Sequence, residues 1–170
     1  MPQTSYSRIQ PIGFPGMKSS SVDDTVTTGV SEETTAELPF GIFASLGVNQ
    51  DGVKLPLNAT DPIMGVTTFS HAAHISYVGA NSGVVPKAPV DLMRKGRVYV
   101  TSEDAVTPAS KVFMRYGTSG ARIQQGAVRG TADANCVELY GCSFVGSCAA
   151  GGLVELEVDF LTNKSFLDHG

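Results

Sequence analysis

Tryptophan is absent from this 170-residue chain, and histidine and cysteine occur only three times each. Charged residues make up 16%, against roughly 25% in an ordinary soluble domain. Each shortage excludes something. Without tryptophan, a carbohydrate-binding or adhesion module, the alternative that a β-sandwich with site-bearing loops leaves open, lacks its best stacking group for a sugar. A net charge of −4 and a pI near 5.3 give no basic footprint for a nucleic-acid partner. The two long uncharged stretches are poor membrane spans. Pro62–Pro86 holds His71, His74, Asn81 and several glycines. Leu139–Val154 has 16 residues, short of the roughly 20 apolar residues that cross a bilayer. The first 16 residues carry one positive charge, Arg8, and no apolar run, so no secretory leader is expected.

Catalytic signatures are missing as well. No Gly-x-Ser-x-Gly elbow occurs, and Gly117-Thr118-Ser119-Gly120 lacks the lysine of a phosphate-binding loop. His71-Ala-Ala-His74 is the nearest approach to a metal pair. On a strand, residues three apart point to opposite faces, and His169 stands near the far end of the chain. No metal site, cofactor or catalytic residue is therefore expected. Cys136, Cys142 and Cys148 lie six apart, unlike the paired spacing of zinc ligands. They read as small buried apolar groups, with an interface role left open.

What the chain does have is β-branched residues and turn formers. Valine (19) outnumbers leucine (10), Gly plus Pro total 28, and Ser plus Thr total 30. This balance favours short strands over helices. Turn signals recur every 8–15 residues between candidate strands. These are Val22–Val30, Phe40–Val48, Val53–Leu57, Ile63–Phe69, Val84–Met93, Arg97–Thr101, Lys111–Tyr116, Ala121–Val128, Asn135–Tyr140 and Leu153–Leu161. Arg94-Lys95-Gly96 reads as a tight hairpin turn between two of them. The last strand alternates sharply, with Glu155, Glu157 and Asp159 on one face and Val154, Leu156, Val158 and Phe160 on the other. One helical turn fits around Glu103–Ala109, limited by Pro108. The expected fold is all-β: a jelly-roll-like sandwich or barrel spanning residues 21–170. Residues 1–20 mix Pro11, Gly13, Pro15 and Gly16 with Ile9, Ile12, Phe14 and Met17. Such a segment is too broken for regular structure and too apolar for a solvated tail. It reads as an extended arm that docks on its own domain or on a neighbour.

Charge is segregated along the chain. Residues 1–86 carry 3 basic and 7 acidic groups, residues 87–130 carry 8 and 3, and residues 131–170 carry 1 and 6. Either folding interleaves these segments into a neutral surface, or they provide complementary charge between subunits or against a larger partner.

The order of the pieces resembles a known family. Phe14-Pro15-Gly16-Met17 is followed by Glu32-Glu33, Leu38-Pro39-Phe40-Gly41, Val53-Lys54-Leu55-Pro56 and Asp61-Pro62-Ile63-Met64-Gly65-Val66. Then come Asp91–Val100 and Gly152–Val158. This succession, over roughly Phe14 to Phe160, resembles the structural cement (decoration) proteins of tailed bacteriophage capsids. The resemblance implies a β-rich domain made in the host cytoplasm and seated on the outer surface of the virion. There it would self-associate, as a trimer in preference to a dimer, and bridge major capsid subunits to reinforce the mature head. It implies no enzymatic activity, while the charge balance and the poor spans already give no expectation of a nucleic-acid partner or a membrane. Capsid or subunit contacts are expected in the arm (Ile9, Ile12, Phe14, Met17) and in the basic Arg94, Lys95 and Arg97.

Overall fold

The structure is a computed structural model, and it describes residues 13–19, 23–70, 75–76, 83–119 and 121–161. These residues form thirteen strands and no helix, so the all-β expectation holds. In chain order the strands are β1 (Thr25–Ser31), β2 (Leu38–Pro39), β3 (Phe43–Leu46), β4 (Gly52–Lys54), β5 (Ile63–Thr68), β6 (Ile75–Ser76) and β7 (Gly83–Val84). They continue with β8 (Pro89–Thr101), β9 (Phe113–Arg115), β10 (Val128–Arg129), β11 (Cys136–Glu138), β12 (Cys142–Phe144) and β13 (Leu153–Asp159). The main sheet runs β1-β4-β3-β5-β8-β13-β12, and β1 also pairs with β8. That extra pairing closes β1, β4, β3, β5 and β8 into a barrel, which removes the free edges an open sheet would leave. Two small sheets, β10-β9-β11 and β2-β7-β6, complete the fold.

Strand β8 connects everything. Its first half pairs with β1 (Val26↔Met93 to Val30↔Pro89) and with β5 (Val66↔Met93 to Thr68↔Asp91). Its second half pairs with β13 from Asp159↔Lys95 to Leu153↔Thr101. The tight turn expected at Arg94-Lys95-Gly96 is therefore corrected: these residues lie inside one continuous strand of 13 residues. Gly96 has φ +127, and a Cβ there would stand 3.0 Å from Cβ of Asp24. Glycine marks a bend where the strand changes partners, a use shared with barrel corners. Val90 and Leu92 before the bend and Val98 and Val100 after it, all buried, share one even phase across Arg94 and Gly96, and that shared phase is the sequence signal that favours a bend over a reversal.

The core has two lobes that meet on β8. Val90 and Leu92 pack with Leu38, Phe40, Ile42, Ala44, Val53 and Val84. Met93, Val98 and Val100 pack with Phe43, Met114, Phe144, Leu156 and Phe160, among others. On β13, Val154, Leu156 and Val158 are buried while Glu155, Glu157 and Asp159 face outward, as the alternation predicts. Residues 103–110 form turns instead of a helix; Ser110 N–H donates to Thr107 O at 2.9 Å and Ser110 Oγ accepts from Thr107 N–H at 3.1 Å. The strand expected over Ala121–Val128 shrinks to β10. Gln124 and Gly126, the latter at φ +78, turn the chain there.

Residues 13–19 lie along the second half of β8. Gly16 N–H donates to Tyr99 O (2.8 Å), Tyr99 N–H to Met17 O (2.9 Å) and Ser19 N–H to Arg97 O (3.0 Å). This part of the arm thus docks on its own chain. Gly16 (φ +83) and Gly41 (φ +73) abut there. A Cβ on Gly16 would lie 2.7 Å from Phe40 Cβ, and one on Gly41 would lie 2.8 Å from Gly16 N.

Leu156 is fully buried and bonded across β13 to both β8 and β12. Truncation to alanine leaves a cavity, and such changes remove about 2–5 kcal/mol. Leu156→Ala is expected to lower the unfolding free energy by an amount in that range, read in urea as a lower midpoint with the slope unchanged.

Candidate interaction surfaces

The arm seats through aromatic contacts. Phe14 meets Phe69 edge-on, with centroids 4.9 Å apart and planes at 85°, and Phe69 meets Phe40 at 5.3 Å and 69°. Such pairs contribute about 0.5–1.5 kcal/mol beyond their buried area. Phe14 nevertheless stays 43% exposed. Beside it lies a cleft of about 450 Å³ bordered by Pro15, Pro39, Phe40, Ile42 and Gln124. Met17 is half-buried. Ile9 and Ile12 lie outside the described residues, as do His71, His74 and His169.

The expected basic group is not a patch of free positive charge. Arg97 Nε donates to Glu157 Oε2 at 2.7 Å, and its Nη1 stands 4.0 Å from Glu155 Oε1. Both acids come from the outer face of β13. Ser19 Oγ also donates to Glu155. Lys95 and Arg97 share a cleft of about 300 Å³ with Asp23, Glu157 and Asp159, so positive and negative groups are mixed. Arg94 keeps a buried Nε with no hydrogen-bond partner. Of the eight basic residues between 87 and 130, Arg97, Lys111, Arg115, Arg122 and Arg129 pair with acids of the same chain. The segregated charges thus meet largely within the fold.

A buried ion network sits between the small sheet and the segment after β8. Arg115, on β9, is fully buried. Its Nε donates to Glu103 Oε1 at 2.9 Å and its Nη2 to Glu103 Oε2 at 2.9 Å, a bidentate grip. Nη2 also reaches Asp133 Oδ2 at 3.1 Å. Arg129, on β10, bonds Asp133 at 2.8 Å and Asp104 at 3.1 Å, and Arg122 adds a contact to Asp104 at 3.0 Å. Three arginines thus face three carboxylates. The Arg115 hydrogen bond, with help from Ala134 N–H and Arg129, pulls the Asp133 carboxyl down to about 2. Burial pushes Asp104 up, but the Thr131 hydroxyl and the two arginines outweigh it and hold Asp104 below the usual range. Sequence reasoning missed this network, because nothing in Arg115 or Arg129 locally marks them as buried. Their acids lie 4 to 26 residues away in sequence.

All three cysteines are free thiols. Cys142 and Cys148 pack against the core, and burial pushes the Cys142 thiol far above its ordinary value. Cys136 lies 3.8 Å from Arg129 Nη1. Among the described residues no cluster of His, Cys, Asp and Glu could hold a metal ion.

Comparison with known proteins adds a family match and two structural likenesses. The family model described as "Structural cement protein (E217 gp24/Pam3 gp6)" matches residues 1–159. A chain from "The capsid of Myoviridae Phage XM1" superposes with a TM-score of 0.65 at 16% identity, covering 92% of this chain and 96% of that one. That likeness establishes a shared fold. A second chain, from "The crystal structure of head fiber gp8.5 N base in bacteriophage phi29", reaches a TM-score of only 0.39 at 12% identity, covering 81% and 95%. No curated protein sequence matches.

Two outcomes test the ion network. Arg115→Met takes from Glu103 its bidentate partner and leaves it only the longer contact to Arg129 Nη1 at 3.6 Å; breaking a buried pair typically destabilises by about 3–5 kcal/mol, and thermal or urea unfolding reads the loss. Acid reads the second. The Asp133 carboxyl titrates lower in the folded chain (about 2) than its ordinary 3.8. Its stabilising share is therefore complete above pH 4 and fades as pH falls toward 2. Asp133→Asn should flatten that part of the stability profile, as followed by circular dichroism.

Proposed function

Because the chain belongs to the structural cement protein family of phages, we propose that it binds the outer surface of the capsid, bridges neighbouring major capsid subunits and stabilises the mature head. The protein is a structural component of the virion. The observation that carries the finer reading is the extent of the family match, which takes in both the arm and the barrel.

The geometry is suited to this work. Closure of the main sheet through β1–β8 leaves a rigid body that deforms little under load. Several such bodies gripping adjacent subunits, each weakly, would hold a shell through summed contacts. A self-associated form, a trimer in preference to a dimer, would multiply the grips. The partners are the major capsid protein and other copies of this chain; neither nucleic acid nor membrane is engaged, and no cofactor or catalysis is involved. Among the contacts read from sequence, Phe14 is the strongest, being apolar, partly exposed and fixed by the Gly16–Gly41 lock. Met17, Arg94, Lys95 and Arg97 are secondary, since Arg97 already serves β13. Ile9 and Ile12 would act from the chain ahead of Gly13.

The test is co-sedimentation with shells assembled from the major capsid protein encoded alongside this chain. Full-length protein should pellet in a fixed, saturable ratio to the shell subunit and raise the temperature at which shells rupture. Failure to pellet would contradict the proposal. Deleting residues 1–12 leaves the Gly16–Gly41 lock intact and should weaken binding by about tenfold or more, corresponding to about 1.4 kcal/mol. Unchanged binding would remove the arm's role.

A further inference from the structure

Two exposed loops of this protein are built alike. Glu32 accepts from Val48 N–H (Oε2, 2.8 Å) and from Asn49 N–H (Oε1, 2.7 Å), and Asn49 Nδ2 donates to the same Oε1 at 2.7 Å. Asp61 accepts from Leu57 N–H (2.8 Å) and Asn58 N–H (3.2 Å), with Asn58 Nδ2 3.5 Å from its other oxygen. In each loop a carboxylate clasps an aliphatic–asparagine pair by its successive amides. The aliphatic side chain is left outside: Val48 is 89% and Leu57 55% exposed.

The clasps are neighbours. Lys54 Nζ lies 3.8 Å from Asp61 Oδ2, and its charge also acts on Glu32. Val48 and Asn49 amides hold the Glu32 carboxyl below its usual range; for Asp61, burial pushes upward but the Leu57 and Asn58 amides prevail. Both carboxylates therefore remain charged and gripping near neutral pH. The first loop is built around its clasp. A Cβ on Gly47 or Gly52 would overlap the Glu32 carboxylate, so these two glycines leave the space in which the carboxylate sits. Val30 N–H donates to Asp51 O at 2.8 Å and Leu46 N–H to Pro62 O at 2.9 Å, which ties these loops to β1 and β3. Val30 and Leu46 are themselves partly exposed. Bracing an exposed aliphatic group in this way removes the ordering cost of burying it against a partner.

The geometry points to the paired Val48 and Leu57 loops as a preorganised docking surface for an apolar patch with a basic rim on the capsid shell. This rests on the capsid-binding function proposed above and adds the surface through which it acts. Charge selects the occupant. Residues 31–61 carry five acidic groups and one basic group, so the loops sit in an acidic field. A second copy presenting the same surface across a two-fold axis would bring like charges together, which is unfavourable. A basic-rimmed shell surface is complementary.

The experiment compares full-length protein with the double variant Val48→Asp/Leu57→Asp in the same co-sedimentation assay, alongside sedimentation velocity of the free protein. The clasps use backbone amides, so the variant should keep the wild-type melting transition. It is expected to bind shells at least about tenfold more weakly, while V48L/L57M binds normally and added salt weakens the wild type. Equal pelleting by wild type and V48D/L57D would overturn the surface and leave capsid binding standing. Absence of pelleting by the wild type would overturn both. Loss of an oligomer in the free variant with shell binding unchanged would assign the loops to a second copy and overturn the inference. If the aspartates unfold the chain, V48S/L57S takes their place with the same outcomes.

Discussion

Everything in this fold leans on the two edges of one strand. A backbone in extended conformation offers hydrogen-bonding groups on both sides, and buried ones must be paired. In β8 both sides are used in each half of the strand. The first half is held between β1 and β5, closing the barrel, and the second lies between β13 and residues 16–19. The two core lobes also meet there, with Leu92 in one and Met93 in the other. Barrel closure, seating of the arm and packing of β13 are thus consequences of a single strand held straight except at Gly96. Any change that displaces β8 loosens all three together.

Around that strand, two different kinds of interaction fix what the barrel alone would leave loose. Residues 13–19 are held by close backbone approach, with Gly16 against Gly41 and Phe14 against Phe69. The small sheet is held by charge, through three arginines and three carboxylates that bridge β9 and β10 to Glu103 and Asp104. Charge of this kind serves geometry more than stability. Isolated from water, a broken pair is costly, whereas an intact one contributes little over an apolar substitute. The segregated sequence charges meet partly in the same way: Arg97 pairs with Glu155 and Glu157 on β13, Lys111 with Glu138, and Arg115 and Arg129 with Asp133.

The all-β class and the alternation of β13 were legible because period-2 patterning is local. So were the strands now seen as β5 and β9. The reading of Arg94-Lys95-Gly96 as a turn failed because two charged residues and a glycine outweighed the even phase that Val90 and Leu92 share with Val98 and Val100. Nor was the Arg115–Arg129 network visible, since two arginines on short strands look solvated until the fold brings Glu103 and Asp133 to them. The loop clasps were equally hidden. Glu32 and Val48 are 16 residues apart, and neither marks the other. The family resemblance was more informative than its short pieces suggest, and the fold supplies a reason. Pro15-Gly16 and Phe40-Gly41, two of those pieces, lie in contact. Their glycines are demanded jointly by one close approach.

A closed barrel with a docked arm and braced apolar loops is a body made to be held against other bodies. Its low charge fits a surface that is covered in use. The family places it in the virion, and the proposed role places it on the outer face of the head. Electron microscopy of mature heads containing the full-length chain tests this most directly. The account predicts a barrel-shaped density on the outer face at a fixed ratio to the major subunit, with the Val48 and Leu57 loops turned toward the shell. Heads with a bare outer surface, or barrels whose Val48 and Leu57 loops face solvent, would contradict it.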